Sequence, residues 1–361
     1  MATRRSREPG SRGGPDWIPE PCYHRLQLAG RAAVSFFTIR CATTTMVPDS
    51  TTVDTGDGAG VDVARVGEFL ALAFGLSWTS GLALYLAGVE VRTLEGTLLT
   101  TALFMWAPAV AAVAVAYRHG DPIRAATGLR RGRPGWIGLA WLLPAALVGA
   151  TVAVGTLLPG VSFTTDYGAY LLSAGLSEAQ VDAAVQQLES FPGPPVLFLI
   201  GQGLFAGFTL NALAALGEEL GWRGLLLSEL RALGFWRVSA VTALVWGVWH
   251  APIVLQGHNF PESPLVGVAV MTAATLALAP IYTYLTVRAE SVLAPTLFHG
   301  SFNGLGAVAL VYLDGAGKLL LPPVGVAGIG AAVLFTGFCL VHDRTLAAES
   351  VTTGAPLEPW G

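Results

Sequence analysis

One short polar stretch, GEELGWRG at residues 217–224, interrupts an apolar run that begins near Pro195 (PVLFLIGQGLFAGFTLNALAAL) and resumes at Leu225. An ionisable side chain near the centre of a bilayer costs about 2.5–3.5 kcal/mol on insertion scales, so such residues normally face a protein interior or a wet cavity. Helical geometry divides the three charges. Glu219 and Arg223 are four residues apart, share a face and can pair. Glu218 is turned by about 100° from its neighbour and falls outside that spacing. The pair reads as structural and the remaining carboxylate reads as free for function.

The chain around this stretch is 53% hydrophobic and 12% charged. Soluble domains carry about 25% charged residues. With repeated apolar runs of spanning length, this predicts an all-α, polytopic membrane helix bundle of about eight transmembrane helices, embedded in a lipid bilayer. The net charge of −4 gives no sign of nucleic-acid binding. Cys22, Cys41 and Cys339 form no CxxC and suggest neither a disulfide framework nor a structural zinc site.

Residues 1–64 are rich in Arg, Gly, Pro, Ser and Thr, with one short apolar piece at Ala32–Ile39, and read as a disordered basic tail. Met46, close ahead of the first span, is a candidate alternative start. Residues 65–345 form the transmembrane domain, with a motif-bearing core at 195–313, and 346–361 form a short C-terminal tail. The expected spans are 66–89, 97–117, 135–159, 195–227, 236–256, 265–287, 291–313 and 319–341. The fourth is longer than a bilayer requires and should tilt or project.

Basic residues alternate between the links. Arg118, Arg124, Arg130, Arg131 and Arg133 follow span two, Arg231 and Arg237 follow span four, and Arg288 and Arg344 follow spans six and eight. The other links hold little beyond Arg92 and Lys318. The positive-inside rule then gives a multi-pass cell-membrane protein with both termini cytoplasmic. The link 160–194 is long, and Ser177 with Gln180 resembles a capping box opening an amphipathic helix near Ser177–Leu188.

Few other polar side chains in the spans can do chemistry. His250 lies in span five within VWGVWHAP, beside Trp246 and Trp249. His299 and Asn303 lie in span seven within APTLFHGSFNG, four apart and on one helical face. Pro295, four before His299, should loosen that helix. Asn211 and the glycines Gly201, Gly203 and Gly207 are expected to serve close helix packing. A carboxylate, two imidazoles and an amide suit hydrolysis without a covalent intermediate: a glutamate to take a proton from water, a histidine to orient it, and donors for the developing oxyanion. The same glutamate and histidines could also ligate zinc, although the HExxH and GxSxG motifs are absent. They could relay protons in a transporter, but no internal repeat supports that reading.

The ordered set EExxxR, aromatic-xxx-His and HxxxN, with its WHAP and LAPTLFH flanks, resembles the CAAX prenyl protease and bacteriocin-processing (CPBP, or ABI) family of intramembrane glutamic endopeptidases, over roughly residues 195–313. The resemblance implies a metal-independent, cofactor-free endopeptidase that hydrolyses a peptide bond of a membrane-associated peptide or protein. It implies Glu218 as general base and His250 as its partner in activating water. His299 and Asn303 would form the oxyanion hole, with Glu219 and Arg223 in support. The family's second motif usually opens with Phe, and Trp246 holds that place here, an aromatic wall of larger size. The alternative is a non-catalytic membrane scaffold or bacteriocin self-immunity protein of the same fold. Counted along the helices, Glu218 is shallow and His250 deep. The two meet only if the helix bearing Glu218 continues past Arg223, to about Leu233. The cavity is expected to open toward the cytoplasm or the inner leaflet.

Overall fold

Two long apolar rods open the bundle, α1 (Val63–Leu86) and α2 (Leu94–His119), packed against each other. They belong to a computed structural model that describes residues 52–53, 60–173, 175–315, 317, 319–321 and 323–360. The expected N-terminal tail, with Cys22, Cys41 and Met46, lies outside the described residues apart from its last few positions. There Val61–Asp62 pairs antiparallel with Thr52–Val53, and the Asp62 side chain accepts from the Arg65 amide to cap α1.

The chain continues through α3 (Pro134–Gly155), then two short helices in the long link, α4 (Tyr167–Ser173) and α5 (Glu178–Glu189). The predicted capping box is present at α5: the Ser177 amide donates to Gln180 Oε1 at 3.0 Å. The fourth expected span is not one rod. It divides into α6 (Pro195–Phe208) and α7 (Leu210–Glu219), because Thr209 leaves helical geometry at φ −106°, ψ −102°. The Thr209 hydroxyl donates back to the Phe205 carbonyl at 2.8 Å, which satisfies part of the frayed end.

Past Glu219 the helix does continue, as the depth of the motif requires. A π-helical segment (Leu220–Leu226) leads into a last α-turn (Leu227–Leu230) and a 3₁₀ turn (Arg231–Leu233). Gly234, at φ +75°, then reverses the chain into α8 (Gly234–Trp249) and α9 (Ala251–Leu255). The long rods α10 (Pro264–Ala289), α11 (Leu293–Val311) and α12 (Val326–Thr345) complete the bundle.

The protein is thus an all-α polytopic bundle. By length and composition six stretches among the described residues can cross a membrane, one of them the 46-residue Leu210–Leu255 that folds back at Gly234. The count of eight is approximate for identifiable reasons. That stretch forms two arms, α6 is short, and His299 and Asn303 dilute the apolar character of α11.

Helix α11 occupies the middle, against α3, α6 and α7, while α8 packs on α10 and α10 on α12. A cluster of Phe69, Phe104, Trp222 and Trp249 fills the core, with Trp222 and Trp249 centroids 5.7 Å apart. Residues 346–360 are packed onto the bundle rather than trailing from it. Asp343 accepts from Arg288, from the amides of Val351 and Thr352, and from the hydroxyls of Ser350 and Thr352. Leu357 is buried and its amide donates to the Arg231 carbonyl at 2.9 Å.

Candidate active site

Glycines bring the polar stretch into the bundle. A Cβ at Gly217 would stand 2.8 Å from the Met105 carbonyl oxygen, and one at Gly221 would stand 2.6 Å from Pro108 Cβ. Met105 ends a π-helical segment of α2 (Thr101–Met105). Both π segments found among the described residues, Thr101–Met105 and Leu220–Leu226, therefore lie near the motif, and this form of helix commonly marks functional sites. On the α11 side, a Cβ at Gly300 would lie 2.4 Å from the Gly207 carbonyl oxygen, and Gly203 and Gly207 touch α11 as the sequence suggests. Gly201 does not serve that contact: its Cβ would meet nothing within 4 Å.

Both glutamates are buried, Glu218 at 1% exposure and Glu219 at 0%. Their partners differ. Arg223 Nη1 donates to Glu219 Oε1 and Oε2 at 3.0 and 3.1 Å, the i,i+4 pair expected from the sequence. Glu219 Oε1 also lies 2.8 Å from His299 Nδ1, a contact across to α11 that sequence spacing does not disclose. The Arg223 guanidinium is held between the rings of Trp246 and Tyr282, 4.3 and 4.2 Å from their centroids. Tyr282, on α10, has no motif to signal it; it is one of two tyrosines in that helix.

Glu218 accepts a hydrogen bond from Trp246 Nε1 to its Oε2 at 2.7 Å. Phe at this position would supply the wall without the donor, so Trp246 changes the polar chemistry of the site as well as its shape. His250 sits at the junction of α8 and α9, where its amide bonds the Gly247 carbonyl and leaves the Trp246 carbonyl free of that partner. His250 Nδ1 takes up that carbonyl at 2.7 Å. A carbonyl only accepts, so Nδ1 carries the proton and Nε2 is the ring's remaining polar atom. One tryptophan thus links both groups: its indole holds Glu218 and its backbone holds His250.

Glu218, Trp246, His250, His299 and Asn303 all line one cavity of about 570 Å³, with Tyr282 and Phe302 among its apolar walls. The four residues expected to carry chemistry are brought to a common space from α7, the α8–α9 junction and α11. Asn303 is exposed to that space, while His250 and His299 are buried in its wall. Among the described residues, no group of three or more His, Cys, Asp or Glu side chains is arranged to hold a metal ion. Arg92 is, among the described residues, the only Lys or Arg in the cavity's walls, and His258 also lines the cavity, where desolvation lowers its pKa to about 4 and leaves it neutral.

The cavity does not run toward the arginine-rich links. Its far walls come from Arg92, His258, Pro261 and Val324, in links at the opposite end of the bundle.

Residues 198–305, which include all of these motif positions, match the family model described as type II CAAX prenyl endopeptidase Rce1-like. No curated protein matches the chain.

Proposed function

We propose that this chain, whose assignment to the CPBP/Rce1-like family of membrane proteases that match supports, is an intramembrane endopeptidase in which Glu218 activates water. The carrying observation is a buried carboxylate, held on one oxygen by Trp246 Nε1 and set on a cavity wall shared with His250, His299 and Asn303.

With Oε2 engaged, Oε1 of Glu218 is left to take a proton from water, and Nε2 of His250 orients that water. The hydroxide oxygen bonds to the scissile carbonyl carbon, and the carbonyl oxygen becomes an oxyanion that accepts from His299 and Asn303. Glu218 then returns its proton to the departing amine as the C–N bond breaks.

Glu219 gives His299 this capacity. With Nδ1–H donated to that carboxylate, His299 Nε2 donates only from the protonated ring. Glu218, Glu219, Arg223 and protonated His299 sum to zero charge, a balance that a water-poor site favours. Arg223 and Glu219 are therefore positioning groups, and Trp246 positions the base. No step in this scheme calls for a metal. The substrate is a membrane-associated peptide or protein, and the enzyme sits in the cell membrane with both termini cytoplasmic.

The test is hydrolysis by purified protein in detergent of a panel of lipid-anchored and plain hydrophobic peptides, with fragments identified by mass. The expected result is cleavage at a defined bond, unchanged by prior exposure to strong chelators. Chelator-sensitive cleavage restored by zinc would refute the metal-free scheme. Stable peptide binding with no cleavage of any panel member would favour the scaffold reading.

A further inference from the structure

The cavity is closed at one end of the bundle and reaches the surface at the other. Below the site, all seven residues of the π segment Leu220–Leu226 are buried, and Phe298 and Leu285 fill the space beside them. Beyond these the C-terminal segment is fastened across the arginine-rich links. Arg288 donates to the Glu349 carbonyl at 2.8 Å, the Leu357 amide donates to Arg231, and a Cβ on Gly128 would collide with the Trp360 ring. None of the cavity's walls comes from residues 118–135, 228–237, 288–293 or 343–360.

On the other side of Glu218 the walls rise through Thr101 and Thr97 on α2 and through Asn303 and Ala307 on α11, and end at Arg92, His258 and Val324. Arg92, Thr97, Asn303 and Ala307 are exposed. Asn211 and Ala214 of α7 also line this part of the space.

The sequence polarises the same two ends. The links at the closed end carry the arginine clusters, and those at the open end carry little basic charge. Positive charge in short links marks the cytoplasmic side.

Resting on the protease reading, we propose that the site is entered from the extracytoplasmic side. Its substrate class is then a hydrophobic peptide segment presented in the outer leaflet or at the outer surface, not the cytosolic C-terminus of a membrane-attached protein. Water reaches Glu218 by the same route, and the packed C-terminal segment keeps the cytoplasmic end dry. The segment enters at the mouth, whose described walls include Arg92 and His258.

The experiment uses full-length protein expressed in a bacterial inner membrane, with Cys22, Cys41 and Cys339 replaced by serine. Single cysteines are introduced as Thr97→Cys and His258→Cys at the open end and Arg131→Cys at the closed end. A membrane-impermeant maleimide is applied to intact spheroplasts and to inside-out vesicles. The inference expects the first two to label from outside and Arg131→Cys to label only in inverted vesicles. It also expects a bulky maleimide on Thr97→Cys, applied from outside, to abolish cleavage that the same reagent on Arg131→Cys leaves intact. The reversed pattern, or labelling of all three positions from one side, overturns it. Sidedness is read without cleavage, so an inactive protein would sink the protease reading and leave this result standing. Reversed labelling with Glu218-dependent cleavage intact would sink only the entry side.

Discussion

Trp246 Nε1 and Glu218 Oε2 are 2.7 Å apart, joining an indole of α8 to the buried carboxylate at the end of α7. A hydrogen bond to a charged acceptor contributes about 1.5–3 kcal/mol. Trp246→Phe keeps an aromatic wall and removes the donor. The expected outcome is a fall in kcat of roughly 10- to 100-fold with KM little changed, measured by steady-state cleavage of a defined peptide. Unchanged kcat would reduce Trp246 to a wall.

Glu219 serves two partners, so its loss should be structural as well as functional. Removing one partner of a buried ion pair costs about 3–5 kcal/mol, because the other charge is left uncompensated. Glu219→Gln is expected to lower the unfolding midpoint in detergent sharply. Glu219→Leu combined with Arg223→Met should recover much of that stability, since Met can fill the space between Trp246 and Tyr282, yet remain inactive because His299 has lost its acceptor. A double variant as unstable as Glu219→Gln alone would contradict the charge-balance argument.

The α6–α11 contact sets the position of His299. A Cβ at Gly300 falls 2.4 Å from the Gly207 carbonyl oxygen, and one at Gly207 falls 2.4 Å from Ser301 Cα. Gly300→Ala and Gly207→Ala are each expected to destabilise by about 1–3 kcal/mol through overpacking, and to depress cleavage as α11 shifts. Gly201→Ala, whose Cβ meets nothing within 4 Å, should match the wild type in both assays. A thermal-shift series across the three variants checks this.

Local rules carry well from this sequence to its structure. The Glu219–Arg223 pair follows from i,i+4 spacing, the α5 cap from Ser177 and Gln180, and the extension of the motif helix toward Leu233 from the depth at which Glu218 must meet His250. What was not legible depends on side chains meeting across helices. The His299–Glu219 contact spans 80 residues, and the stacking of Tyr282 on Arg223 leaves no periodic trace. The break at Thr209 and the π segments are backbone adjustments inside runs whose apolar pattern continues unchanged, so hydropathy passes over them. The Trp246 donor was hidden because substituting one aromatic for another in a motif suggests size before it suggests polarity. The course of the cavity was not legible for a similar reason, since motif spacing gives depth and says nothing about which end of the bundle is packed shut.

The central claim is that one buried carboxylate does the proton transfer, and Glu218→Gln tests it most directly. Glutamine keeps the shape and can still accept from Trp246 Nε1, so expression, detergent stability and peptide binding should be retained. The account predicts that peptide-bond cleavage falls by about 10²- to 10⁴-fold, the range expected for loss of a general base. A Glu218→Gln protein that cleaves the same bond at a rate close to wild type would contradict it.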